Sequence, residues 1–145
     1  MIRNRIVNGQ KATDATYVAH ADLVRGMGVV KAAAGKTAFP AEATDAGIFV
    51  VDRDNLPSGI ECAYTDRADK HFDNIKADEK VLMRAFVVGE SFYVDQYAAN
   101  AVADGTALGV GTDGKWAKFD GGKKYVSRGT EVVAGATMLA VEVIA

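Results

Sequence analysis

The sequence predicts a mainly β protein, a small sandwich or barrel of about seven or eight short antiparallel strands with an extended N-terminal arm. Three observations lead there. Apolar residues make up 49% of the chain, yet they include 25 Ala and 18 Val against only 5 Leu. Val is stiff at χ1 and suits a pleated, half-buried surface, whereas helical proteins lean on Leu. Short apolar runs are separated by Gly- and Asp-rich turns, with 15 Gly in all. The last run, TMLAVEVI at 137–144, alternates cleanly, with Leu139, Val141 and Val143 on one face. A chain that closes on such a run is expected to end inside its sheet.

At 145 residues the chain is one domain's worth. We divide it into an arm at residues 1–20 and a single β domain at 21–145. The arm is polar and carries Arg3, Arg5 and Lys11 ahead of any continuous strand signal. A net charge of −2 gives no overall field to hold nucleic acid or an anionic membrane. The lone Cys62 excludes an internal disulfide framework and reads as a small apolar residue. The opening MIRNRIVNGQK carries no apolar stretch, so it is not expected to act as a secretion signal, and no run approaches the roughly 20 residues of a membrane span. Synthesis and folding in a reducing cytosol are expected.

In order, residues 21–31 read as a strand interrupted at Gly26 and Gly28, where a bulge or close backbone approach is expected. Residues 32–46 read as a mobile Ala/Thr/Gly loop holding Phe39 and Pro40. GIFVVD at 47–52 reads as a fully buried strand, stopped by the turn residues of 53–59. Residues 61–79 are the most charged stretch. Asp66, Asp69 and Asp73 offer hard oxygen ligands, but their spacing fails the calcium-loop pattern, so a solvated loop is expected.

Residues 81–97, VLMRAFVVGESFYVDQY, read as a hairpin turning at Gly89-Glu90. That register sets Arg84 opposite Asp95 and Phe86 opposite Tyr93, two favourable cross-strand pairs. A second hairpin is expected in 107–119, ALGVGTDGKWAKF, with a two-residue turn at Asp113-Gly114. It sets Gly111 opposite Trp116 and Val110 opposite Ala117. Trp116 reads as a residue of the core or of a subunit seam. KYVSR at 124–128 is a further short strand.

Catalytic signatures are missing. There is no phosphate-binding glycine loop followed by a helix and no nucleophile elbow. His20, His71 and Cys62 do not make a zinc set. No catalytic, cofactor-binding or metal-ligating residue is assigned, and the chain is expected not to be an enzyme.

The order of the pieces GIFVVDRDNLPSG (47–59), FDNIKADEKV (72–81), the 81–97 segment and LGVGTDGKW (108–116) resembles the decoration (cement) proteins of tailed-bacteriophage capsids. Members of that family similarly run "GI-VVD-DN-P-G", "F-IKAGEKV" and "VGT-GK-A" before a terminal apolar strand. The likeness covers most of residues 23–144 and rests on turn and strand signatures. Asp78 departs from it, standing where the family more often has Gly. The resemblance implies a structural virion protein on the outer capsid surface, made in the host bacterial cytoplasm. It would bind the major capsid protein, brace capsomer junctions and act as a homotrimer, with no nucleic-acid or membrane partner. Contact residues are expected to be Arg3, Arg5, Ile6 and Val7 of the arm, Phe39 and Pro40 of the loop, and Trp116 at a trimer seam. The alternative is a carbohydrate-binding or adhesive β module, such as a head-fibre or tail accessory protein. That would require Tyr93, Tyr97, Trp116 and Tyr125 to converge on one face. A small β-barrel enzyme is a third, weaker reading.

Overall fold

The computed structural model describes residues 1–6, 12–52 and 74–145. Among these are thirteen strands: β1 (Ile2–Ile6), β2 (Ala12–Asp14), β3 (Leu23–Val24), β4 (Gly28–Lys31), β5 (Thr37–Ala38), β6 (Phe49–Asp52), β7 (Asn74–Ile75), β8 (Leu82–Ala85), β9 (Ser91–Val94), β10 (Ala107–Val110), β11 (Trp116–Lys118), β12 (Tyr125–Val133) and β13 (Ala136–Val143). One sheet runs β1-β9-β13-β12-β10-β11, a second runs β2-β8-β6-β4-β5, and β3 pairs with β7 alone. All these ladders are antiparallel. The fold class is as expected, a sandwich-like arrangement of short strands rather than a closed barrel. The strand count is higher than expected because ladders of two residues, such as Leu23–Val24 and Thr37–Ala38, leave no readable alternation.

The apolar run at 47–52 explains why the molecule has two cores. Ile48 and Val50 point into one cluster, with Phe92, Val94, Leu108 and Trp116. Val51 points into the other, with Leu23, Val29, Ile75 and Met83. A strand covered on both faces needs no polar side, so its sequence does not alternate. Burying each such Val or Leu contributes about 1.5–3 kcal/mol. Gly26 and Gly28 behave as expected. A Cβ on Gly28 would collide with the Val110 side chain, and one on Gly26 would lie 2.5 Å from the Met1 carbonyl oxygen.

Residues 81–97 do not form the expected hairpin. β8 lies between β2 and β6 in one sheet, while β9 lies between β1 and β13 in the other. Gly89 (φ +92°) and Glu90 turn a corner between sheets. Arg84 faces Val50 and Thr13 instead of Asp95, and Asp95 Oδ1 sits 2.6 Å from the Met1 ammonium. Phe86 stacks on Phe92, centroids 4.3 Å apart, and not on Tyr93. Buried Glu90 fixes the corner. Its Oε2 accepts the Val87 N–H at 2.9 Å, and its carbonyl accepts the Val143 N–H at 2.9 Å. The corner wins because it gives each strand two hydrogen-bonded neighbours, where a lone hairpin gives one.

The second hairpin forms, with its register moved by one residue. Val110 faces Trp116 and Leu108 faces Lys118. The loop holds three residues, Thr112, Asp113 and Gly114, closed by the Gly111 N–H donating to Lys115 O at 3.0 Å. Gly114 takes φ +78°, the left-handed position such loops require. A one-residue slip exchanges the faces of a strand. Here it turns Trp116 inward, where it is fully buried against Phe92 and Tyr125 with Nε1–H donating to Gly26 O at 3.0 Å.

Residues 32–46 are anchored rather than a free loop. Thr37 bonds Val18 O, and Thr44 and Val110 exchange both backbone hydrogen bonds. The first twenty residues supply an edge strand to each of the two larger sheets, β1 and β2. The terminal strand β13 lies between β9 and β12, with Met138 through Val141 buried. Asp78 has φ +68°, so the turn before Val81 is left-handed at the residue where the resembled family more often carries glycine.

Candidate contact surface

The expected contact residues do not come together on one surface. Arg3 is exposed on β1 opposite Tyr93. Arg5, where the β1–β9 register breaks between Asn4 and Ile6, donates from Nη1 to Ser91 Oγ at 3.1 Å. Ile6 pairs with the Ser91 backbone, and Val7 lies outside the described residues. Phe39 is half-buried, edge-on to His20 at 4.6 Å and packed beneath Gly114, while Pro40 is buried. Trp116 is a core residue of this chain, so the seam role does not fit its position. Tyr125, at 2% exposure, is in the same core.

What the surface offers instead is aliphatic. Val132 is 75% exposed, next to the Ala134-Gly135 tip joining β12 to β13. β9 covers β13 only from Leu139 to Glu142, so the end of this ribbon runs on beyond its neighbour. It is steadied from one side, where the Tyr93 hydroxyl donates to Glu131 Oε2 at 2.6 Å, a bond that raises the phenol's pKa. At the other end of β13, Val87 (44%), Val88 (62%) and Ile144 (47%) are exposed around the corner turn. The Gly89 N–H donating to Val143 O at 2.9 Å places that turn against the end of β13. β13 has eight residues, about 25 Å at the usual rise of a strand. The two apolar poles are therefore separated by nearly the length of the sheet.

The sequence reading missed these poles, although a signal was present. Val87-Val88-Gly89 and Val132-Val133-Ala134-Gly135 both put paired Val beside a Gly turn. Turns normally carry polar residues, so a Val pair beside a Gly turn was a legible sign of exposed apolar side chains.

Among the described residues, no group of three His, Cys, Asp or Glu is arranged to hold a metal ion. Among them, too, no helix is long and apolar enough to cross a membrane. His71, Cys62 and the Asp66, Asp69 and Asp73 set lie outside the described residues. A scan against protein-family models and a search of the curated proteins both returned no match for this chain.

Proposed function

We propose that this chain is a structural protein of a phage virion, binding the outer capsid surface and bracing the junctions between capsomers. One observation carries the reading: exposed aliphatic side chains stand at both ends of the central strand β13, at Val132 and at Val87, Val88 and Ile144. A brace must touch two neighbours at once, and contacts at opposite poles of a rigid sheet suit that task. Several modest contacts repeated on a lattice combine through effective concentration. Neighbouring copies, as in a homotrimer, offer one apolar surface for such a pole, and the major capsid protein the other.

The resemblance to decoration proteins gains support from Asp78. The residue that departs from the family pattern holds the left-handed conformation that glycine adopts at no steric cost. The adhesive-module alternative loses its aromatic platform, since Trp116 and Tyr125 are in the core. A non-enzymatic role on the virion surface follows from the same reading.

The test is co-sedimentation of the folded protein with undecorated mature heads, with unexpanded proheads as comparison. Saturable binding to mature heads is expected, along with greater resistance of the heads to heat. Val132→Asp and Val88→Asp should each reduce occupancy while leaving the fold intact. Absence of binding by the folded wild type to either particle overturns the proposal. Deleting residues 1–20 is not a clean test, because it removes an edge strand from each of the two larger sheets.

A further inference from the structure

A cavity of about 450 Å³ is lined by Ile2 and Arg3 of β1, Arg25 of the β3–β4 turn, Asp52 of β6, Arg84 of β8 and Val133 of β12. Its volume lies within the range of small-molecule sites, roughly 300–1,000 Å³. Three guanidinium groups share this space with one described carboxylate. Asp52 is 4% exposed, and its Oδ1 takes both Nε and Nη2 of Arg25 at 2.8 Å. Its Oδ2 faces Arg84 Nε at 2.5 Å. That Nε is buried, and its N–H is not aligned on any acceptor, so the contact is electrostatic rather than a made hydrogen bond.

Asp52 holds both Arg25 and Arg84, and Arg3 beside them makes no ion pair with a described residue. Asp52 anchors Arg25 and Arg84 without using the full donor fork of Arg84. Guanidinium forks match the oxygens of carboxylates and phosphates in geometry as well as charge. Ile2 and Val133 add apolar lining beside the three arginines, and the site opens to solvent at Arg3.

We propose that this pocket binds a small oxyanion, a carboxylate or phosphate group gripped by Arg3 and Arg84, with Asp52 as the positioning residue that holds Arg25 and Arg84 in place. The assignment stands apart from the capsid reading, since it needs no second protein.

The experiment is isothermal titration calorimetry of the full chain with sodium phosphate and, separately, sodium citrate. Sodium chloride keeps the ionic strength constant. Saturable binding of at least one anion at a single site is expected, and the preferred anion distinguishes a phosphate from a carboxylate ligand. Arg3→Gln should weaken that binding about tenfold, the loss of one charge-assisted hydrogen bond. Arg3 is exposed, so this variant should fold with an unchanged melting temperature. Arg84→Lys keeps the charge beside Asp52 but removes the fork, and should also weaken binding. Arg128→Gln, at a surface site paired with Glu142 and Asp104, should bind as wild type. No saturable binding of either anion overturns the proposal. An equal loss in Arg3→Gln and Arg128→Gln also overturns it, since that would reflect overall charge alone.

Discussion

Two segments of this chain look alike in sequence and end differently. Residues 81–97 and 107–119 each carry two short apolar runs around a glycine turn. The second closes into the β10–β11 hairpin, with Gly114 in a three-residue loop. The first opens into a corner, sending β8 to one sheet and β9 to the other. Local chemistry favours pairing in both. What separates them is how many partners the rest of the chain supplies. β9 is taken by β1 and β13, and β8 by β2 and β6, whereas β11 pairs with β10 and bridges residues 96–98 only through Tyr97 and backbone bonds at Trp116. A cross-strand pair is worth about 0.2–1 kcal/mol, too little to hold two strands together against the ladders and core burial available elsewhere.

The comparison can be tested, beginning with the largest effect. Trp116→Ala should destabilise the fold by about 3–5 kcal/mol in denaturant unfolding, as for other buried large-to-small changes. If the ring lay on a surface seam, the loss would be far smaller in the monomer and would appear in assembly.

Next is a double-mutant cycle. Arg84 and Asp52 should couple by about 0.5–3 kcal/mol, as contacting charged residues do. Arg84 and Asp95 should be additive, because the hairpin that would have joined them does not form. Strong coupling to Asp95 would restore the hairpin reading.

The two turns should then respond unequally to alanine. Both glycines have positive φ, so each substitution meets the left-handed penalty of about 1–2 kcal/mol. Open space surrounds a Cβ at Gly89, but one at Gly114 would lie 2.6 Å from the Phe39 ring. Gly114→Ala should therefore cost more than Gly89→Ala, as measured by thermal unfolding.

The smallest effect is a pH dependence at His20, which lies beside the Gly114 loop's neighbour Phe39. Burial pushes this imidazole below its ordinary value of 6.5. The folded chain then binds the proton less tightly than the unfolded chain. Its contribution to stability is complete above pH 6.5 and declines as pH falls toward the lowered folded value. His20→Gln should flatten that part of a melting-temperature profile, and an unchanged slope would remove His20 as its source.

How much was legible follows from which interactions are local. The β class, the buried run at 47–52, the close approaches at Gly26 and Gly28, and the interior terminal strand all come from composition and from spacing along a few residues. The Asp52–Arg25–Arg84 pocket was not legible, because its residues come from separate strands and turns that only the fold brings together. The expected contact set failed to assemble for a related reason. Of the two readings open for Trp116, core or subunit seam, the structure takes the core, and Phe39 of the expected contact loop is half-buried against Gly114.

By itself, the sequence determined which residues prefer strands, where the chain must turn, and that Val outweighs Leu in the interior. Those are properties of individual side chains and of spacings of two. Tertiary structure decided which strand pairs with which, the one-residue register that buries Trp116, and the corner at Gly89-Glu90. It also placed aliphatic side chains at both ends of β13 and gathered arginines around Asp52. Such choices depend on competition among distant partners for the same backbone hydrogen bonds and core space, and no local window of sequence contains that competition.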